Sequence, residues 1–187
     1  IANSSNLLKY QHGPLIDNYD LVVRFNSFKL ERKHTGTKTD IHVNIYLHLD
    51  NVNLNIFVPV RFILSNNIGR WVNAIKHVNK FRQSFLLKIN HHHTIRSNYR
   101  DKKPTTSGFV FLTLLLKLGG FEKIDLFGFD FYRDGDKSIL RNKQGMADSV
   151  STVHDYDFEK NVILSNSFEL DKKKNIITYY DHNSLSN

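Results

Sequence analysis

Short apolar stretches separated by segments of helical periodicity narrow the fold of this chain more than any other feature. Tyr19 to Phe28, YDLVVRFNSF, alternates around Leu21, Val23 and Phe25, and Thr39 to Tyr46, TDIHVNIY, alternates as well. A period of two predicts strands, because successive side chains of a strand point to opposite faces. Asn55 to Val60 (NIFVPV), Ser84 to Asn90 (SFLLKIN) and Asn175 to Asp181 (NIITYYD) predict further strands. The clearest is Lys123 to Phe131, KIDLFGFDF, an apolar run that ends in Gly and Asp. Helices are predicted over 69–80, 107–118 and 157–170. This order implies an α/β fold, a mostly parallel central sheet flanked by helices, formed by residues 1–187 as a single domain.

Sheets of that kind take ligands in the crevice at the carboxyl ends of their strands, so residues just beyond each strand are the candidates for chemistry. Asn3 and Ser4 lie in the small polar run ANSSNL, which suits a turn into such a crevice. Asn26 closes the strand that ends in RFN, and a carboxamide offers both a donor and an acceptor to a ribose or a pyrimidine edge. Turn chemistry alone also accounts for either Asn. Gly128 stands in the ending of the KIDLFGFDF strand. In KPTTSGFVF, one of Thr105, Thr106 and Ser107 caps a helix and Gly108 permits close backbone approach, so the free N–H groups there suit a phosphate or another anion. His154 precedes a predicted helix start, with Asp155 or Asp157 as the cap, and Asp155, Asp157 and Glu159 close by. It reads either as a surface histidine beside a cap or as a general base positioned by carboxylates.

Composition excludes several classes of function. There is no cysteine, so disulfides, thiolate nucleophiles and Cys-based metal sites are ruled out. His91, His92 and His93 are consecutive and would point to alternate faces of a strand, and no HExxH-type spacing accompanies them, so no metal is expected. The formal net charge of +8 favours an anionic partner. The basic residues are spread along the chain rather than gathered into a patch, so nucleic acid is not the expected partner, while peripheral association with an anionic membrane is compatible with the basic surface. No apolar run approaches the roughly 20 residues that span a bilayer. The expected setting is cytoplasmic or membrane-associated, or the Golgi lumen if an N-terminal anchor has been removed.

Three segments, in order, resemble the motifs of one enzyme family. ANSSNLLKYQHGPLIDNYDLVVRFNSF followed by GTKTDIHVN resembles the long sialyl motif of glycosyltransferase family 29 at Asn3, Ser4, Asn6, Leu7, Gly13, Ile16, Asp17, Asp20, Val22, Arg24, Asn26, Gly36, Lys38 and Thr39. Ala2 stands where that motif has Gly. PTTSGFVFLTLLLKLGGFEKIDLFGFDFY resembles the short motif, with one extra residue between Pro104 and Gly108, and HDYDFEKN resembles the very short motif, a His followed five residues later by Glu. The stretch TSG…LG…EKIDLFGFDFY also resembles the bacterial sialyltransferases of family 42. The family 29 disulfide is absent, and its third motif has no counterpart in DGDKSILRNKQGMADSVST.

The resemblance implies a Rossmann-like, GT-A-variant sialyltransferase fold and an inverting, metal-independent transferase without a resident cofactor. Its donor would be CMP-sialic acid or a related CMP-sugar such as CMP-Kdo, and its acceptor a glycan hydroxyl. It implies that Asn3, Ser4, Asn26 and Gly128 serve the CMP moiety, and that Thr106, Ser107 and Gly108 hold the cytidine or the phosphate end. His154 becomes the general base, and Tyr132 takes the place of the missing third motif at the donor phosphate, with Arg133, Lys137 and Arg141 as alternative cations. Glu159, early in its helix, is expected to be partly structural. Acceptor choice is expected in the loops 91–103 and 134–151. The competing reading is a non-catalytic CMP- or glycan-binding module on a decayed transferase fold.

Overall fold

A computed structural model describes residues 1–26, 28–45, 60–65, 84–88, 105–129, 154–164 and 177–179. In chain order these form a 3-10 helix Ser5–Lys9, α1 (Gly13–Asp17), β1 (Val23–Phe25), β2 (Ile41–Ile45), β3 (Val60–Ser65), β4 (Ser84–Lys88), α2 (Ser107–Leu118), β5 (Ile124–Leu126), α3 (Tyr156–Leu164) and β6 (Ile177–Tyr179). The chain divides into two compact units, one of Gln11–Lys102 and one of Ile1–Tyr10 with Lys103–Asn187. Each carries its own sheet among the described residues, where the sequence pattern predicted one central sheet. The first holds β1-β2-β3-β4 in that order and the second pairs β5 with β6.

Every pairing between the named strands is parallel, and one isolated antiparallel bridge joins Glu31 to Gly36. Val23 lies opposite Ile41 and Phe25 opposite Val43, Ile41 opposite Val60, Arg61 opposite Ser84, and Ile124 opposite Ile177. Of the strand predicted over 55–60, Val60 opens β3, and 55–59 lie outside the described residues. The first predicted strand is paired only over Val23–Phe25, because Asn26 leaves the extended region at φ 51°. The predicted helix 107–118 is found with those bounds, and the one predicted from Asp157 begins at Tyr156. The helix predicted over 69–80 and residues 165–170 lie outside the described residues.

Parallel neighbours need a crossover connection, usually a helix. Between β1 and β2 no helix is found among the described residues, and a buried cation organises the loop instead. Arg24 is 1 % exposed. Its Nε donates to Lys38 O at 3.0 Å and Thr39 Oγ1 at 2.9 Å, and its Nη2 donates to Thr35 O at 2.7 Å. The guanidinium carbon sits 5.6 Å from the Phe28 ring centroid, within cation–π range. Thr35, itself buried, accepts from Glu31 N at 2.8 Å and donates to Lys29 O at 2.8 Å. Burial lowers the Arg24 pKa to about 10, partly offset by the charge of Asp17, so the side chain stays a cation at neutral pH.

Asp17 holds the far side of the same loop. Its carboxylate accepts from Thr37 N at 2.8 Å, Lys38 N at 2.9 Å and the Thr37 hydroxyl at 3.1 Å. Burial raises the Asp17 pKa, but those hydrogen bonds and the charge of Arg24 outweigh it, and the net shift is downward. Gly36 has φ 71°, and a Cβ there would lie 2.3 Å from Asp17 Oδ1, so only glycine lets the loop pass this close to the carboxylate.

Replacing the guanidinium fork by a point cation should leave at least two buried acceptors unmatched. Arg24→Lys is expected to lower the unfolding free energy by roughly 2–4 kcal/mol in urea denaturation. Lys29→Met, which removes the more exposed ion pair with Glu31, should change it by less than about 0.5 kcal/mol.

Candidate functional site

In the β5–β6 unit the candidate residues meet at the carboxyl end of β5 through a continuous series of contacts. The first is backbone pairing: Ala2 N donates to Phe127 O at 2.8 Å, which sets Asn3 beside the end of β5. Gly128 then turns the chain at φ 71°, and a Cβ on it would lie 3.0 Å from Ala2 O. Gly128 is thus required by the close approach of these two backbones. Ser4 is buried and its Oγ accepts from Asn6 N at 3.1 Å, capping the 3-10 helix, so its hydroxyl has a structural partner. Asn3 is half-buried.

Phe129 carries the series onward to α2. A Cβ on Gly108 would lie 2.9 Å from the Phe129 ring, so glycine lets the start of α2 seat on that ring. Of Thr105, Thr106 and Ser107, it is Thr106 that caps α2, extended at φ −71° and ψ 158°, its Oγ1 accepting from Phe109 N at 3.2 Å. The first two turns of α2 are buried, with Phe109 at 1 % and Phe111 at 2 % exposure. Fully burying each such ring stabilises the fold by roughly 2–3 kcal/mol.

The third contact joins α2 to α3 across 53 residues of sequence. Glu159, 2 % exposed, accepts from Thr106 N at 2.5 Å on one carboxylate oxygen and from the Thr106 hydroxyl at 2.6 Å on the other. Thr106 Oγ1 therefore donates to Glu159 while accepting from Phe109. Both Thr106 donors, expected at a ligand, are taken up by this carboxylate. Ser107 and Gly108, also buried, follow as the first two residues of the helix. Burial raises the Glu159 pKa to about 7, the Thr106 hydrogen bonds oppose this, and Asp155 adds to it. Desolvation thus outweighs two charge-assisted bonds. Glu159 stands in the first turn of its own helix and also bonds the cap of another.

α3 starts where Asp155 Oδ1 accepts from Phe158 N at 3.0 Å and Asp155 O accepts from Glu159 N at 3.1 Å, so Asp155 is the cap and Asp157 stands exposed in the first turn. Phe158 packs against Phe109, ring centroids 6.1 Å apart. His154 immediately precedes the cap, half-buried, its ring centroid 5.7 Å from that of Tyr156 at a tilt of 56°. Two of the three nearby carboxylates expected to orient it are bonded elsewhere, Asp155 to its own helix and Glu159 to Thr106.

Asn26 belongs to the other unit. Its N–H donates to Val43 O at 2.8 Å, and its carbonyl accepts from His42 Nε2 at 2.6 Å, which holds it in the left-handed conformation. His42, 1 % exposed and edge-on to Phe28 at 5.0 Å, was not singled out in the sequence, where it is one more member of an alternating strand. Tyr132, Arg133, Lys137, Arg141 and the three consecutive histidines lie outside the described residues. Among the described residues no group of three His, Asp or Glu could hold a metal ion, and no helix is long and apolar enough to cross a membrane.

Comparison with known proteins agrees with the motifs. The family described as Glycosyltransferase family 29 (sialyltransferase) matches residues 1–48. A beta-1,6-galactosyltransferase of Arabidopsis thaliana is 46% identical over 43 residues, which are 22% of this chain and 11% of that protein. The fold is similar to the crystal structure of a mammalian sialyltransferase, with a TM-score of 0.61 and 18% identity over 96% of this chain and 66% of that one. A mammalian sialyltransferase in complex with Gal-beta-1-3GalNAc-ortho-nitrophenol gives 0.62 and 17% over the same shares. The chain thus spans 66% of the length of those structures and 11% of the curated relative. It resembles family 29 in sequence over its first 48 residues and in fold over nearly its whole length.

The raised pKa of Glu159 gives stability a pH dependence. The folded chain holds this proton up to about pH 7, against 4.5 for the ordinary group. The protonated form therefore stabilises the fold fully below the unfolded pKa, and that contribution is lost as pH rises to about 7. It is on the order of 3 kcal/mol. Urea midpoints measured from pH 4.5 to 7.5 should fall for the wild type, and Glu159→Gln should lack that component.

Proposed function

We propose that this chain is the core of an inverting glycosyltransferase that moves sialic acid, or a related ulosonic acid such as Kdo, from a CMP-sugar to a hydroxyl of a glycan, on a Rossmann-like GT-A-variant fold. One observation carries the reading. Segments matching three family 29 motifs are joined by direct contacts in the β5–β6 unit, from Ala2 at Phe127, through Phe129 at Gly108, to Glu159 at Thr106. Independent motif matches in an unrelated fold would have no reason to touch.

The chemistry follows from the side chains. The acceptor hydroxyl gives its proton to His154 as its oxygen bonds to the anomeric carbon, and the bond from that carbon to the CMP phosphate oxygen breaks with its electron pair. Imidazole is the side chain most often used for general acid–base transfer. Glu159 takes up the N–H and the hydroxyl of Thr106, so at the start of α2 Ser107 and Gly108 are left to serve the cytidine end. Asn3 and Asn26 are the carboxamides that the motif resemblance assigns to the nucleotide. Tyr132 donates its hydroxyl to the phosphate as charge develops on it, a term that grows in the transition state. This chemistry draws on no metal or resident cofactor.

CMP release from CMP-sialic acid, with and without a glycan acceptor, tests the proposal. His154→Ala should cut transfer by about 10²–10⁴-fold and leave CMP affinity nearly unchanged. Asn3→Ala and Asn26→Ala should each weaken CMP binding by about 1–2 kcal/mol in calorimetric titration. Tyr132→Phe should lower kcat with little change in KM. Near-normal turnover by His154→Ala would remove the base. CMP binding without turnover of any CMP-sugar would favour the non-catalytic module. The match to a galactosyltransferase supports a second donor class, and consumption of UDP-galactose in place of CMP-sugars would establish it.

A further inference from the structure

We propose that Pro14, Leu15, Arg32 and Lys33 form a membrane-docking surface of the β1–β4 unit, which lays an apolar side chain and two cations on anionic phospholipid headgroups. It is a task apart from sugar transfer, and its residues are positions that the sialyl-motif match leaves out. The basic residues are spread along the sequence, but folding gathers some of them. Among the described residues, Leu15, Leu21 and Leu118 are the large apolar side chains left exposed, and two of the three, Leu15 and Leu21 at 43 % each, lie in this unit. A single exposed leucine needs no explanation. The surroundings of Leu15 set it apart.

Arg32 and Lys33 stand exposed on a turn that is fixed from inside. The N–H groups of His34, Thr35 and Gly36 all donate to Glu31 O, at 2.9, 2.8 and 3.0 Å, and the buried Thr35 hydroxyl ties Glu31 N to Lys29 O. Backbone contact seats α1 on this turn. Gly13 N donates to Lys33 O at 3.0 Å, and a Cβ on Gly13 would collide with Arg32 O. Pro14 and Leu15 follow and are both exposed, so apolar and cationic side chains far apart in sequence share one small area of surface. Neither Arg32 nor Lys33 has an ion pair among the described residues, whereas Lys29 is paired with Glu31. Asp17 is engaged by the Thr37 and Lys38 amides, which leaves Asp20 as the exposed carboxylate of residues 13–33.

This mixture selects the partner. Phosphate groups, whether free or along a nucleic acid, call for cations without an exposed leucine, and so does an acidic protein surface. A bilayer interface offers anionic headgroups to Arg32 and Lys33 and an acyl boundary to Leu15. The fixed turn and the seated helix hold these side chains in place before contact, so little ordering opposes binding.

The test is cosedimentation of the whole chain with vesicles of phosphatidylcholine, alone or mixed with phosphatidylserine. Wild type should bind the mixed vesicles and not the neutral ones. Arg32→Gln combined with Lys33→Gln should weaken that binding at least about ten-fold, since each basic residue at an anionic surface contributes roughly five-fold. Leu15→Ser should weaken it about three- to ten-fold. Lys9→Gln combined with Lys117→Gln removes the same charge from exposed positions of the other unit and should change it less than about two-fold. If the Arg32 and Lys33 double variant does not fold, Lys33→Gln alone is read by the same criterion, at roughly five-fold. No binding to mixed vesicles, an equal loss in the Lys9 and Lys117 control, or no effect of Leu15→Ser overturns the inference. Retention of wild type but not of the Arg32 and Lys33 variant on immobilised polyglutamate, without vesicle binding, makes the partner an acidic protein and also overturns it. CMP titration of the Leu15, Arg32 and Lys33 variants should match wild type, so this inference and the proposed function fail separately.

Discussion

The carboxylate of Glu159 on the start of α2 is the interaction on which the β5–β6 unit depends. It satisfies the backbone N–H and the hydroxyl of Thr106, and that same hydroxyl caps α2. It also fixes the first turns of α3 against α2, and with them the place from which His154 projects. Burial of Glu159 opposes ionisation strongly enough to raise its pKa to about 7, so the contact persists against a desolvation cost rather than because the charge is comfortable. Burial of apolar neighbours on the two helices, Phe109, Val162 and Ile163 among them, supplies the stability that holds the carboxylate there.

The β1–β4 unit solves a different problem with a similar device. A parallel crossover lacking a described helix is ordered by the buried guanidinium of Arg24, with Asp17 fastening the loop on its other side. Asp17, Arg24, Gly36, Lys38 and Thr39, all positions of the long-motif match, therefore build the loop. In the motif match, loop-building residues stand beside those assigned to the nucleotide. A likeness confined to them reports backbone geometry and leaves the transferred sugar undecided, which is why donor choice has to come from chemistry rather than from resemblance.

Local signals were legible in the sequence. α2 has its Thr cap and its closing Gly119, and β2, β4 and β5 fall inside the predicted runs, because apolar period and turn residues act over a few positions. What escaped was non-local. Nothing near Thr106 announces a carboxylate 53 residues away, nothing in the HVN of β2 marks His42 as the partner of the Asn26 carbonyl, and Gly108 looked like a ligand glycine although it also faces a ring.

The central claim, which rests on the proposed function, is that this chain receives a cytidine nucleotide through residues at the carboxyl ends of its parallel strands. The most direct measurement is a two-dimensional amide NMR titration of the isotopically labelled chain with CMP. The account predicts saturable shifts at the backbone amides of Asn3, Ser107, Gly108 and Gly128, and at the side-chain amide of Asn26, with Lys117 and Leu118 at the exposed end of α2 unmoved. An absence of saturable shifts, or shifts confined to residues away from these strand ends, would contradict it.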